Sequence, residues 1–218
     1  MDINIIGVRM NDAVIYIARI LHNTGRAVLI RDYTRDCGLE YCFPRFDRIS
    51  ASDTAIDWAG IGYIKGNADG STDDYDTTIR LYDPSQLPDY DGPTLIITDE
   101  ERAHVEALEK LEWKEYIEES GSRVSILVKD YTGIVRKQFD KLAEKAGINE
   151  KDMFAVGLDA RNTKSAMLAE YKEKTQFTAI TQEYLEALVS IVQKAEPDYT
   201  EKELMRIVKD TQKGKVLR

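Results

Sequence analysis

Short apolar runs alternate with amphipathic stretches along most of the chain, and this alternation predicts strands and helices in turn. Ile3–Val8 is apolar and β-branched, and the next segment has apolar residues at helical spacing until Gly25. Asn11 or Asp12 is suited to cap that helix. Ala27–Ile30 is the next apolar run. Two buried strands around a crossover helix form a βαβ unit, which requires a parallel sheet.

The same alternation continues towards the carboxyl terminus. Predicted strands are Thr77–Tyr82, Thr94–Ile97, Val124–Val128 and Met153–Leu158. One helix is predicted from Thr98 to Glu119, and a second follows the strand Val124–Val128 and ends near Ala146. A short helix with Asn162 or Thr163 as its cap and a longer one over Thr181–Ala195 come next. Residues 35–75 carry no clear pattern, although short strands near Gly60–Ile64 fit. We therefore predict an α/β fold with a doubly wound, mainly parallel sheet flanked by helices.

A last helix is predicted after Pro197, where Thr200 and Glu203 form a capping box. We expect one α/β domain over residues 1–197, followed by an amphipathic helix and a basic tail over 198–218. The helix carries an apolar strip that is a candidate interaction surface, formed by Leu204, Ile207 and Val208. Packing on the domain or on a partner chain is favoured over membrane contact, because the strip has no Trp or Phe and acidic residues dilute its charge.

The balance of charged residues and the cysteine content argue against several classes of function. The 218 residues include 30 Lys and Arg against 39 Asp and Glu, which argues against a general nucleic-acid binder. Residues 1–120 contain 12 basic and 24 acidic side chains, whereas residues 121–218 contain 18 and 15. DNA binding through the second part is therefore the weakest hypothesis. No secretory signal or membrane span is visible, and two cysteines predict reduced thiols and a cytoplasmic location.

Five predicted strands end in charged residues, and in an open α/β sheet ligands bind at the carboxyl ends of the strands. We call this edge the strand-end rim, and its candidate ligand residues are Arg31, Asp32, Asp83, Asp99, Lys129, Asp130, Asp159 and Arg161. Two of the ends repeat each other as I-R-D-Y-T and V-K-D-Y-T, so exposed Tyr33 and Tyr131 are interaction candidates. The alternative is that such a run simply ends a strand. We expect no zinc site, since His22 and His104 have no ligand spacing to each other or to the cysteines.

The order of these segments resembles the ParA/MinD group of deviant Walker P-loop ATPases. The chain reads I-N-I-I-G-V, R-M-N-D-A, V-I-Y-I-A-R-I-L-H-N-T-G and R-A-V-L-I-R-D, so Asp32 falls on the Asp that ends the family's second strand. Y-D-T-T-I-R-L-Y-D-P resembles the family's YDxxxxD strand and puts Asp83 near its Walker B position. The later segments P-T-L-I-I-T-D-E-E-R-A-H-V-E-A-L and F-A-V-G-L-D-A-R also resemble the family's strands in order.

The resemblance fails at the phosphate-binding loop. Such a loop needs glycines to wrap the phosphates, a lysine for their charge and a Ser or Thr for magnesium. Between Gly7 and the first helix the chain has none of these, and its first lysine is Lys65. S-I-L-V-K-D-Y also stands where the family has a strand ending in Asn-Arg, so the Asn that reads adenine is absent. We therefore expect no ATP or magnesium cofactor and no catalytic residue of the family type.

These features favour a non-catalytic ParA/MinD-like protein that binds, positions or regulates part of a larger bacterial assembly, similar to CpaE/TadZ-type proteins with altered P-loops. The resemblance also implies protein partners and a homodimer across the nucleotide face. The alternative is an enzyme or nucleotide-binding protein that uses the strand-end rim in another way. That alternative predicts a deep pocket beside Asp32 and Asp83 with a perturbed carboxylate.

Overall fold

A computed structural model describes residues 2–43, 56–58, 60–66, 68, 74–89, 92–121, 123–172 and 176–212. The described residues form one eight-stranded sheet. Its strands in chain order are β1 (Asp2–Gly7), β2 (Val28–Asp32), β3 (Ile56–Trp58), β4 (Ile61–Lys65), β5 (Thr77–Tyr82), β6 (Thr94–Thr98), β7 (Val124–Tyr131) and β8 (Met153–Gly157).

The strand order across the sheet is β3-β4-β2-β5-β1-β6-β7-β8. All neighbours pair in parallel except β3 and β4, which are antiparallel at one edge. β1 lies between β5 and β6 near the centre, and four of its six residues are buried Ile or Gly. A continuous apolar run of this kind is typical of a parallel strand that is covered on both faces.

Within the described ranges, seven α-helices cover the two faces of the sheet. They are α1 (Asn11–Asn23), α2 (Arg102–Glu109), α3 (Trp113–Ser120), α4 (Arg136–Lys145), α5 (Ala160–Lys172), α6 (Gln182–Ala195) and α7 (Glu201–Gln212). α1, α5, α6 and α7 pack on one face and share a hydrophobic core with Ile3 and Ile5. α2, α3 and α4 pack on the other face around Ile6 and Ile96. The predicted doubly wound α/β fold is confirmed.

Several predicted element boundaries differ from the structure. The N-cap of α1 is Met10, so neither Asn11 nor Asp12 caps the helix, and Asp12 lies in its first turn. The single helix predicted up to Glu119 is two helices, α2 and α3, and the Trp113 indole donates to the carbonyl of Leu108 across the break. Burial of Trp113 in the second core explains why the chain turns there.

The helix after β8 also begins earlier than predicted. α5 starts at Ala160, so Asn162 and Thr163 lie inside it rather than at its cap. The Asn162 side chain instead accepts a hydrogen bond from the backbone amide of Thr181, which is the N-cap of α6. The unclear stretch contains a short 3₁₀ helix at Gly38–Cys42 as well as β3 and β4, which confirms short strands near Gly60–Ile64.

The C-terminal helix α7 packs on the domain itself. The predicted capping box forms, since the Thr200 hydroxyl accepts from the Glu203 amide and the Glu203 carboxylate accepts from the Thr200 amide. Leu204, Ile207 and Val208 are buried, and Leu204 and Val208 belong to the core that α7 shares with α1 and α6. Packing on the domain is one of the two arrangements favoured above, and it leaves these three residues little exposed area for contact with another molecule. The basic tail at 213–218 lies outside the described residues.

Among the described residues, no helix combines the length and apolar character needed to cross a bilayer.

Candidate functional site

The parallel strands bring the strand-end rim to one edge of the sheet, as predicted. Along this edge the strand ends follow the order β2, β5, β1, β6, β7 and β8. The charged side chains do not form one cluster, however. They divide into a β2–β5 group, a central group around the β1–α1 connection, and a β8 group, each held by its own hydrogen bonds and ion pairs.

In the β2–β5 group, Asp32 is buried and already bonded. Its carboxylate accepts from the amide and hydroxyl of Thr34 and from the hydroxyl of Tyr63, at 2.9, 2.5 and 3.2 Å. Burial raises the pKa of this carboxyl group, and the hydrogen bonds oppose the shift. Asp83 accepts from the amide of Arg35 at 3.1 Å. These bonds hold the loop that follows β2, and adjacent Arg31 is half-buried in the strand.

The two repeated strand ends do not form a pair of exposed tyrosines. Tyr33 is half-buried and stacks on Tyr82, with ring centroids 5.3 Å apart and planes 11° apart. Tyr131 is also half-buried and contacts Phe139, with centroids 6.4 Å apart. Both rings pack against the second core, because removing the apolar surface of an aromatic ring from water lowers the free energy. The expectation of exposure at Tyr33 and Tyr131 is therefore not met.

The connection from β1 to α1 is the centre of the edge. Only Val8, Arg9 and Met10 separate the two elements. Gly7 allows β1 and β6 to approach closely here, because a Cβ on Gly7 would lie 1.9 Å from the carbonyl oxygen of Ile97. The chain then turns directly into the helix through Arg9, whose φ of 48° is left-handed. The connection leaves no length for a loop that wraps a phosphate chain.

Two partners from distant parts of the chain bind the carboxylate of Asp12, in the first turn of α1. Lys129 donates to one carboxylate oxygen and also to the carbonyl of Arg9, the latter at 2.8 Å. The Tyr184 hydroxyl from α6 donates to the other carboxylate oxygen at 2.9 Å. Asp12 is 4% exposed. Burial and the Asp12 charge both raise the pKa of Tyr184, so its hydroxyl remains a donor.

Strand alternation in β7 places Lys129 on the same face of the sheet as this carboxylate. Leu127, two residues earlier, lies in the core that α1 and α6 cover, whereas Val128 lies in the core on the other face. Lys129 therefore faces Asp12, and Asp130 lies near Arg9, with charged atoms 3.8 Å apart. The register between β7 and β8 shifts between Val128 and Tyr131, where Asp130 has a left-handed φ of 55°.

The Arg9 guanidinium is the second cation of the central group. It lies 3.5 Å from the carboxylate of Asp99 and 3.3 Å from that of Glu101. Asp99 is buried and also contacts the ring of His104, with 2.7 Å between Oδ1 and Nδ1. The central group thus joins the ends of β1, β6 and β7 through charged side chains.

The remaining rim residues form a local pair at the end of β8. Asp159 accepts from the Arg161 amide at 2.7 Å and forms a two-point ion pair with its guanidinium. This pair lowers the pKa of Asp159. An open cleft of about 700 Å³ lies elsewhere, between the α2–α3 connection, α3 and the end of α4, and no rim residue lines it.

Comparisons with known proteins support the architecture. MinD of Aquifex aeolicus, in a MinC:MinD cell division protein complex, matches 90% of this chain and 95% of its own with 10% identity and a TM-score of 0.61. A Borrelia burgdorferi B31 plasmid partition protein bound to AMPPNP matches 91% and 99% with 11% identity and a TM-score of 0.55. Apo McdA of Cyanthece matches 94% and 98% with 12% identity and a TM-score of 0.58. The chain has a ParA/MinD-like fold.

This likeness rests on structure. No protein-family model matches the chain, and no curated protein matches it significantly in sequence. At identities of 10–12%, these matches show a ParA/MinD-like fold but do not show that the proteins share an activity.

Sequence reasoning missed four residues of the central group of this ParA/MinD-like fold: Arg9, Glu101, His104 and Tyr184. Arg9 follows the first apolar run and Tyr184 lies inside the helix predicted over Thr181–Ala195, so neither belongs to the charged strand ends chosen as candidates. The signal that could have found Glu101 and His104 is their spacing from Asp99, as Asp-x-Glu-x-x-His at a strand end. No local signal pointed to Tyr184, which is 172 residues from Asp12.

Proposed function

We propose that the chain is a non-catalytic ParA/MinD-like protein that binds, positions or regulates a component of a larger bacterial assembly. The observation that carries this proposal is the β1–α1 connection. It consists of Val8–Met10 and contains no glycine, lysine, serine or threonine. Backbone amides, a lysine and a hydroxyl at this place are what bind phosphates and magnesium in a P-loop.

The Asp12–Lys129 pair supports the same proposal. A P-loop brings a phosphate to the first turn of the helix after β1 and pairs it with a lysine. In this chain the first turn holds the Asp12 carboxylate, and Lys129 from β7 is its partner. An internal anion therefore takes the favourable position at the helix N-terminus, and its charge would repel a phosphate. Lys129 also occupies part of the segment where the resembled family has its adenine-reading Asn.

Protein partners fit this proposal better than small-molecule turnover. One structural neighbour is MinD in complex with MinC, which is a protein partner of that protein. In this chain, two large apolar side chains are exposed just beyond the ends of the paired strands β7 and β8: Ile134 at 85% and Leu158 at 68%. We propose that this end of the rim takes part in contacts with a second copy or another protein. The free thiols of Cys37 and Cys42 support a cytoplasmic location.

An ATP turnover assay tests the non-catalytic part of the proposal. Purified protein at high concentration, with magnesium and ATP, should release phosphate no faster than a protein-free blank. Asp83→Ala is the informative variant, because Asp83 falls near the family's Walker B position. Turnover by the unsubstituted protein that Asp83→Ala abolishes would contradict the proposal.

A further inference from the structure

Asp99, Glu101 and His104 place three metal-ligating side chains together at the carboxyl end of β6. One ligand atom from each lies within 4.8 Å of the other two. Asp99 follows the strand, Glu101 is the N-cap of α2, and His104 lies in the first turn of that helix. The strand-to-helix turn therefore brings both carboxylates to the imidazole ring, with Asp99 Oδ1 2.7 Å from Nδ1 and Glu101 Oε2 3.8 Å from Nε2. The Glu101 side chain is 56% exposed and that of His104 is 26% exposed, so the cluster opens to solvent.

The buried member of this cluster has an oxygen that accepts no hydrogen bond. Asp99 Oδ1 accepts from the Glu101 amide at 2.9 Å and lies 2.7 Å from His104 Nδ1. Asp99 Oδ2 is buried and has no hydrogen-bond partner among the described residues. The Arg9 Nε atom is 3.5 Å away, beyond the usual length of an N–H···O bond. This buried oxygen therefore has a loosely placed guanidinium as its neighbour and has room in its coordination for a bound ion or water.

The charges around this place are not balanced by the side chains. The guanidinium of Arg9 faces three carboxylates, those of Asp99, Glu101 and Asp130, at 3.5, 3.3 and 3.8 Å. These distances are loose for ion pairs, and Arg9 is 58% exposed. One positive charge leaves the group with negative charge in excess. A divalent cation would remove that excess. The other basic side chain in contact with these carboxylates is His104, which adds positive charge only when it is protonated.

We propose that Asp99, Glu101 and His104 bind a divalent transition-metal ion of the zinc class. An imidazole nitrogen with two carboxylate oxygens suits zinc, cobalt or manganese, whereas calcium and magnesium prefer oxygen ligands alone. Zinc bonds of about 2.1 Å place ligand atoms roughly 3.4 Å apart. The exposed Glu101 reaches that separation by side-chain rotation, and the Arg9 guanidinium moves towards Asp130. Water fills the open positions. No phosphate-binding group takes part, so the inference is independent of the proposed function.

A titration of the full chain with Co²⁺ tests the site, because cobalt gives a visible d–d band when protein ligands bind it. We expect one saturable site that Zn²⁺ competes for. Glu101→Gln and His104→Asn should each weaken binding by at least about tenfold, since each removes a direct ligand. Both side chains are partly exposed, so circular dichroism should show an unchanged fold. Arg9→Gln should tighten binding, because it removes the competing guanidinium.

Two control variants separate this site from other metal-binding side chains. His22→Asn removes the other histidine, and Cys37→Ser removes the more exposed thiol. Neither should change the affinity. The proposal would be overturned if the unsubstituted protein binds no Co²⁺ or Zn²⁺, or if Glu101→Gln and His104→Asn bind as tightly as it does. Loss of binding in Cys37→Ser, with the near-ultraviolet band of a cobalt–thiolate bond in the unsubstituted protein, would also overturn it.

Discussion

Asp12 has a different role from the helix cap that its position suggests. Its carboxylate is buried, accepts from Tyr184 and pairs with Lys129, and it joins α1, α6 and β7. An ion pair of this kind gains little over apolar packing, but the removal of one partner leaves a buried charge without compensation. The contribution of Asp12 to stability therefore depends on Lys129 remaining its partner.

Asp12→Ala should lower the free energy of unfolding by about 3 kcal/mol, because it leaves Lys129 charged and 13% exposed without its carboxylate. Urea unfolding measures the change. Asp159→Ala is the matched control, since it breaks an exposed pair with Arg161 and should have almost no effect. Equal stability of the two variants would show that the Asp12 network contributes nothing.

Such residue-scale contacts were the least predictable part of the molecule. Asp32 ends β2, and Asp83 and Asp99 directly follow β5 and β6, because an apolar run followed by a charged residue is a local pattern. β7 extends beyond the predicted Val128 to Tyr131, so Lys129 lies inside the strand. The sequence could not assign the partners of these residues. Lys129 is 117 residues from Asp12, and their contact depends on how α1 packs beside β7.

At the scale of elements, α7 is the helix whose role changes most. Its apolar strip favours packing on the domain or on a partner chain over membrane contact, and Leu204 and Val208 are fully buried in the core shared with α1 and α6. The strip therefore stabilises the domain itself. Amphipathicity shows that a helix buries one face, but it does not show which surface that face packs against.

Leu204→Ala should lower the free energy of unfolding by about 3 kcal/mol, since it leaves a cavity in that core. Arg206→Ala, on the exposed face of the same helix, is the control and should leave stability nearly unchanged. Thermal and urea unfolding measure both variants. If Leu204→Ala is as stable as Arg206→Ala but no longer binds anionic vesicles, α7 is a membrane helix instead.

Element type was predicted well, and element boundaries less well. β1, β2, β6 and β8 contain short apolar runs, and β5 alternates apolar and polar residues; both patterns can be recognised without tertiary information. The break between α2 and α3 was missed because helical spacing continues across Lys110–Glu112. Burial of Trp113 and its hydrogen bond to Leu108 decide that break, and both depend on packing against the sheet.

At the scale of the whole molecule, the loop after β7 presents apolar surface at the strand-end rim. Ile134 lies in this loop, and the Glu100 carboxylate accepts from the neighbouring amides of Thr132 and Gly133, at 2.7 and 3.1 Å. Leu158 is also exposed, just beyond the end of the neighbouring strand β8. We proposed that this end of the rim contacts a second copy or another protein, and the family resemblance favours a second copy.

Size-exclusion chromatography with light scattering should therefore find a dimer at high micromolar concentration. Ile134→Asp should convert it to a monomer, because a charge would be buried in the contact. Met167→Asp is the control, since Met167 is also exposed but lies on α5. A monomer at all concentrations, or equal effects of the two variants, would contradict an interface at this edge.

We propose that this ParA/MinD-like fold lacks the chemistry that binds phosphates. The test is isothermal titration calorimetry with ATP, ADP or AMPPNP, each with magnesium. The Borrelia plasmid partition protein, whose structure contains AMPPNP, is the positive control. We expect no saturable heat for this chain with any of the three nucleotides. A saturable, magnesium-dependent isotherm would contradict the proposal.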